Sequence, residues 1–273
     1  MPFPYKAVLI TGATSGIGQA LAERMIAEGI FVIAVGRRQD RLDALVTKHG
    51  VDKVAAEPFD VSDLDAIPDW VQRITQNYPE LDSIVLNAGF QRTLDFRSPS
   101  TISLPLVSSE LTTNYLSPVH LVTAFLPHLA SLAPQPTSIV FVSSGLSVLP
   151  LPRCANYSAT KAAIHSLAWS LRCQLSGPES PLTHHIRIVE IMPPAVRTEL
   201  HTQQPDLVAE GQGEIGVPLA AYIDETWNAL ASKEDLDTIV HSVLKDQLEK
   251  IEGPRRETWE GFIGAMRNSG LKF

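Results

Sequence analysis

The sequence predicts an α/β fold in which a parallel sheet is wound by helices on both faces, and three observations predict it. Short β-branched runs alternate with longer segments of helical period along the chain. The runs are apolar at nearly every position, so each strand buries both of its faces. A glycine-rich turn joins the first run to the first helical segment, and sheets of this kind bind ligands beyond the carboxyl ends of their strands.

Six strands are read in order: AVLIT at 7–11, FVIAVG at 31–36, KVAAEPF at 53–59, SIVLN at 83–87, SIVFVS at 138–143 and IRIVEIM at 186–192. Helix-length segments separate them. The first, GIGQALAERMIAEG, sets Ile17, Leu21, Ala22, Met25 and Ile26 at helical spacing, and HLVTAFLPHLASL and AAIHSLAWSLRCQL behave likewise. Strands joined by helices lie parallel, which makes the fold doubly wound. From about 199 to 221 the chain is polar, carries three glycines and two prolines, and shows no period, so a long loop or lid is expected. A helical C-terminal region at 224–273 follows, its apolar stripe formed by Leu236, Ile239, Val240, Val243, Leu244 and Leu248. No convincing strand is read after Gly253, which leaves a seventh strand in doubt. With no repeat or linker, residues 1–273 are expected to form a single domain.

Composition narrows the function classes. A chain of 273 residues, 44% hydrophobic and 19% charged, buries a large core without a staple. Its net charge of −8 and lack of a basic patch argue against a nucleic-acid partner. No apolar run reaches the roughly 18 residues that span a bilayer. The N-terminal MPFPYKAVLI enters a strand directly instead of forming a cleavable leader, and LKF at the C-terminus is no address tag, so a cytoplasmic location is expected. Cys154 and Cys173 read as small buried hydrophobes in a reducing compartment. The remaining histidines show no metal-ligand spacing, and no metal is expected.

The turn TGATSGIG at 11–18 spaces Gly12, Gly16 and Gly18 so that the backbone can approach an anion. Thr14, Ser15 and Ile17 supply the rest of the turn and the first N–H groups of the helix. Strand two ends at Gly36, where a carboxylate would select the ribose hydroxyls of NAD. Arg37 and Arg38 follow instead, and guanidinium forks match the 2′-phosphate of NADP. NADP(H) is therefore expected in preference to NAD(H). Farther along, Tyr157 and Lys161 stand four residues apart at a helix start, so the phenol and the ammonium are neighbours. A nearby cation favours a phenolate, and with Lys161 held close and the positive charge of an oxidised nicotinamide added, the tyrosine is expected to be brought toward the range of a general acid-base catalyst.

TGATSGIG, the NAG at 87–89 and the Tyr157-to-Lys161 spacing together resemble the short-chain dehydrogenase/reductase family over residues 5 to about 200. The resemblance implies a Rossmann-type sheet and catalysis by Asn114, Ser144, Tyr157 and Lys161. Spacing within the family assigns the serine to Ser144, with Ser143 capping or packing. Asn114 would hold a water linked to Lys161, and Lys161 would also grip the nicotinamide ribose. The resemblance makes Asp60 with Val61 an adenine clamp, although PFDVSDL equally reads as an aspartate capping the next helix. It makes Asn87, Ala88 and Gly89 a support beside the cofactor. MPPAVRTEL at 192–200 would place Pro193, Val196 and Thr198 on the nicotinamide side, with Pro194 where the family carries glycine.

The implied activity is that of an NADPH-dependent carbonyl reductase, reversible between a ketone or aldehyde and an alcohol. Leu146, Val148, Leu149 and Leu151, with Leu94, Phe96, Ile102 and Leu104, suggest an apolar or bulky small-molecule substrate, although they equally read as loop anchors packed on the core. The alternatives are an NADP-linked alcohol dehydrogenase working oxidatively and a non-catalytic NADP(H)-binding regulator. A homodimer through helices near 109–131 and 155–175 is expected, with a tetramer as the alternative.

Overall fold

Seven parallel strands form one sheet in the order β3-β2-β1-β4-β5-β6-β7. The computed structural model describes residues 5–175, 182–232, 234 and 236–270. The stretches 1–4 and 271–273, read above as neither leader nor address tag, lie outside the described residues. The first six strands coincide with the apolar runs: β1 (Ala7–Thr11), β2 (Phe31–Gly36), β3 (Val54–Pro58), β4 (Leu81–Leu86), β5 (Thr137–Val142) and β6 (Ile186–Met192). The sheet grows outward from β1 in one direction through β3 and, from β4, in the other. Reversal between β1 and β4 opens a crevice at their carboxyl ends.

Continuous apolar strands divide their side chains between two cores by simple alternation. Val8 and Ile10 join one cluster with Leu21 and Met25 of α1 (Gly16–Ala27), Leu42 of α2 (Gln39–His49) and Trp227 of α9 (Leu219–Leu230). Leu9 joins the other with Trp70 of α3 (Ile67–Asn77), Phe125 of α5 (Ser117–Ser131) and Ile164 of α6 (Ala155–Leu175). Both faces of the sheet are thereby covered.

Three features differ from the sequence reading. First, a seventh strand exists: β7 (Thr238–Val240) pairs parallel to β6, with Glu190 opposite Thr238 and Met192 opposite Val240. The stripe assigned to one helix is thus split, because the open edge of β6 offers unpaired backbone groups to a β-branched triplet. Second, α10 (Ser242–Asn268) starts only after His241, whose ring nitrogen Nδ1 accepts from Val243 N at 3.2 Å. Val243 is consequently 58% exposed, while Leu248 is buried. Third, the segment read as a loop contains α7 (Glu199–Thr202) and α8 (Pro205–Ala209), and α9 begins inside it. The tail is helical as the sequence reading has it: α10 passes through Gly253 and Pro254 and folds back on α6, where Trp259 meets Trp169 at 5.3 Å.

Candidate active site

The glycine turn packs the start of α1 against the ends of β1 and β4. Gly12 and Gly16 have φ of +69° and +55°, a region L-residues with side chains rarely adopt. Gly18 lies beneath the turn, where a Cβ would fall on the Gly12 carbonyl and on Asn87 Nδ2. Asn87 Nδ2 donates to Thr11 O at 3.0 Å, and Thr11 Oγ1 accepts from the backbone N of Asn87 at 3.0 Å and of Ala88 at 3.1 Å. Asn87 and Ala88 therefore tie β4 to β1, and Gly89 follows against Asn114 and Lys161. Above the turn a cavity of about 750 Å³ runs from Arg37 to Tyr157. Every catalytic and cofactor residue expected at the site lines it except Gly18, below the turn, and Asn114, buried behind Gly89; of the apolar residues expected around the substrate, Leu146, Leu149 and Leu151 line it, whereas Val148, Leu94, Ile102 and the exposed Phe96 and Leu104 do not.

The two arginines separate in role. Arg38 Nε and Nη2 donate to Thr14 Oγ1 at 3.1 and 3.0 Å, Nη2 donates to Ser15 Oγ at 2.6 Å, and Nη1 meets Glu199 at 2.8 Å. Arg41 Nη1 donates to Thr14 O at 3.0 Å and to the other oxygen of Glu199 at 2.5 Å. Burial acts against ionised Glu199, but these hydrogen bonds outweigh it and hold the carboxyl below its usual range. Arg38 thus braces the turn against Glu199, whereas the Arg37 side chain is 75% exposed and lies 3.8 Å from Asp60. Asp60 Oδ1 accepts from Ser62 N at 3.0 Å and Ser62 Oγ at 2.7 Å, closing a turn and not capping a helix, since α3 begins only at Ile67, while Val61 is buried beside it and lines the cavity.

At the inner end, β5 hands three consecutive residues to three partners. Val142 O accepts from Lys161 Nζ at 2.8 Å, Ser143 Oγ donates to Glu190 at 2.5 Å, and Ser144 lies in hydrogen-bonding contact with Tyr157. Ser144 Oγ also accepts from Leu146 N at 3.1 Å, which fixes its rotamer. Lys161 Nζ sits 5.5 Å from the centre of the Tyr157 ring. Asn114 occupies a π-helical turn, Thr112–Leu116, between α4 (Leu104–Leu111) and α5. Pro118 explains the wide turn: it has no N–H for the Asn114 carbonyl and its ring crowds that group. Asn114 Oδ1 accepts from Phe90 N at 3.0 Å, and Nδ2 donates to Phe90 O at 2.9 Å and to Thr160 Oγ1 at 3.2 Å.

One electrostatic expectation is corrected. Burial, followed by the charge of Cys154, raises the Tyr157 phenol above its ordinary range, and the Ser144 hydrogen bond opposes this only in part. The Lys161 ammonium is itself desolvated: burial lowers it to about 8, opposed by the charges of Glu190 and Glu110.

After β6, Pro193 O accepts from Gly145 N at 2.9 Å, and Val196 pairs with Val217, which closes the intervening segment at its base. No described residue other than glycine takes a positive φ, so Pro194 keeps an ordinary turn. Thr198 caps α7, accepting from Leu200 N at 3.4 Å, and lies over Gly16.

The sequence model of the family described as short chain dehydrogenase matches residues 6–207. The chain belongs to the short-chain dehydrogenase family. Its relatives include the uncharacterized oxidoreductase DltE of Bacillus subtilis (strain 168), 34% identical over 255 residues that cover 92% of this chain and 91% of that protein. Benzil reductase ((S)-benzoin forming) IRC24 of Saccharomyces cerevisiae is 30% identical over 253 residues, 91% of this chain and 94% of its own. Among solved structures, a short-chain dehydrogenase from Streptomyces avermitilis superposes with a TM-score of 0.75 at 25% identity, covering 98% of this chain and 99% of that one. Another from Sphingobium yanoikuyae, in complex with NADPH, gives a TM-score of 0.74 at 23% identity, with 93% and 95% covered, and shows the shared fold.

In this short-chain dehydrogenase the structure adds residues that sequence reasoning missed. Arg41 stands three residues after Arg38 on the first turn of α2, a spacing the sequence does display. Glu199 and Glu190 carry no local signal, since their partners lie 161 and 25 residues away. Among the described residues no group of three histidine, cysteine or acidic side chains could hold a metal ion, and no helix is long and apolar enough to cross a membrane.

Proposed function

We propose that this oxidoreductase is an NADP(H)-dependent carbonyl reductase with an apolar or bulky substrate. The observation that carries the reading is the convergence of Ser144, Tyr157 and Lys161 at the inner end of a cavity whose outer end is the glycine turn and Arg37. The residues present fit a dinucleotide: the cradle is held bare by Gly12, Gly16 and Gly18, the α1 N-terminus faces it, and Arg37, exposed beyond β2 and paired only at 3.8 Å with Asp60, can meet a 2′-phosphate. Asp60 with Val61 would flank the adenine, and Asn87 to Gly89, Pro193, Val196 and Thr198 would border the nicotinamide half.

When bound, the reduced nicotinamide supplies the hydride that reaches the carbonyl carbon. Tyr157 Oη gives the carbonyl oxygen its proton, and Ser144 Oγ donates a hydrogen bond that orients the same oxygen. A phenol held protonated by burial suits the donor role. Lys161, protonated below about pH 8, offsets the charge left on Tyr157 after transfer. Asn114 supports this pair by fixing the Phe90 backbone beside Gly89.

Leu146, Leu149, Leu151, Leu207, Ile215 and Leu244 line the cavity near Tyr157, which favours an aryl or alicyclic ketone over a small polar one. The activity of the yeast relative on benzil agrees with that choice. Oxidation of NADPH followed by absorbance against a panel of aromatic and alicyclic ketones tests the reading. Tight NADPH binding with no turnover of any ketone would overturn it in favour of a binding protein. A homodimer is supported by the exposed Leu104, Leu106 and Leu111 along α4, and sedimentation giving another state would refute it.

A further inference from the structure

One turn beyond Lys161, α6 carries a second buried ionisable residue on the same side. His165 is 2% exposed; its Nδ1 lies 2.8 and 3.0 Å from the two carboxylate oxygens of Glu190, and its Nε2 lies 2.8 Å from Glu252 on α10. A ring with a carboxylate on each nitrogen donates from both, so it is an imidazolium. Burial opposes that charge, but the hydrogen bonds to Glu190 and Glu252 prevail and lift the ring to about 9.

Glu190 is fully buried on β6, opposite Phe141 of β5, where an apolar residue would fill the space without desolvating a charge. It is bonded to Ser143, whose neighbours in the chain are Val142, the acceptor of Lys161, and Ser144, the partner of Tyr157. A continuous chain therefore runs from the surface of α10 through Glu252, His165 and Glu190 to the end of β5.

We propose that Glu190 is a positioning residue for Tyr157 and Lys161, and that α10, acting through Glu252 and His165, sets how much of the Glu190 charge Lys161 senses. Glu190 pins the Val142–Ser144 backbone by its bond to Ser143, and its negative charge keeps the buried ammonium of Lys161 protonated. The inference rests on the reductase reading for its kinetic consequence but not for its electrostatic one. The other charged groups in play are Glu110 on α4, which also faces Lys161; Arg255, paired with Glu252; Arg256, which with Arg255 lies over the Trp169 ring; and Arg172 and Asp237, the former within the field of Glu190.

The test compares wild type, Glu190→Gln and Glu252→Gln by two readouts. One is the ¹³Cε signal of Lys161 in lysine-labelled protein across pH, which needs no substrate; the other is the basic limb of kcat for ketone reduction. Glu190→Gln moves both midpoints down by about one pH unit, as expected for loss of a nearby buried charge. Glu252→Gln, at the partly exposed outer end, lowers the titration of His165 read from its ring-proton signal. As His165 discharges, Glu190 is less neutralised, and the Lys161 midpoint rises. A purely structural role would reduce thermal stability or kcat and leave the Lys161 midpoint in place in both variants, which overturns the proposal. Should Glu190→Gln fail to fold, the upward shift in Glu252→Gln decides alone. A wild type that reduces no ketone refutes the reductase reading, while the ¹³C titration still judges the inference.

Discussion

Arg37→Ala is expected to remove most of the preference for NADPH over NADH while leaving the fold untouched. The Arg37 side chain is 75% exposed and spends no bond on the glycine turn; its nearest acidic partner, Asp60, is 3.8 Å away. Arg38, by contrast, is held by Thr14, Ser15 and Glu199. A hydrogen bond to a charged group contributes about 1.5–3 kcal/mol, and solvent screening at so exposed a site reduces this to about 1–2 kcal/mol. NADPH should then bind roughly 5- to 30-fold more weakly, with NADH within about twofold of wild type. Titrating the fluorescence of each bound reduced cofactor gives both Kd values, and raising the salt in wild type should narrow the gap as well. Arg38→Ala is the control: it loosens the turn that holds either cofactor, so both affinities fall together. Equal Kd values for the two cofactors in wild type, or an equal loss of both in Arg37→Ala, would refute the assignment.

Tyr157→Phe should lower reductase turnover by about 10²- to 10⁴-fold, the usual contribution of a general acid, with NADPH affinity nearly unchanged; near-normal rates would contradict the role. Turnover in wild type should fall as pH rises through about 8, where Lys161 loses its proton, and a flat profile from pH 7 to 9 would oppose this. Gly18→Ala should cost about 1–3 kcal/mol by overpacking against Gly12 and Asn87, seen as a lower Tm and weakened cofactor binding. Burial raises Asp82 from 3.8 to about 6, so its contribution favours the folded state below pH 3.8 and is lost as pH rises through about 6. Asp82→Asn, which retains an acceptor for Lys6 N, should therefore gain up to about 3 kcal/mol at pH 8 relative to its effect at pH 4 by calorimetry. A change of the same size at both pH values would argue against a charged, desolvated Asp82.

Most of the frame was legible because its signals are local. Six apolar runs became β1 to β6, and the four-residue spacing of Tyr157 and Lys161 put both on α6, since periodicity within one element survives whatever packs against it. The misreadings share a cause. Thr238–Val240 is too short to show a period, and its strand identity comes from the open edge of β6. The lid looked structureless because α7 and α8 are four and five residues long, below the length at which a helical pattern declares itself.

By itself the sequence determined the order of strands and helices, the bare glycine turn and the adjacency of a phenol to an ammonium, all consequences of residue type and spacing along one stretch of chain. Only the tertiary structure decided which arginine stays exposed beside Asp60 and which is bound to Glu199, that Tyr157 is raised and not lowered, and that His165 sits between Glu190 and Glu252. Those outcomes depend on desolvation and on partners brought together from as far as 161 residues apart, and a charge's environment exists only once the chain has closed around it.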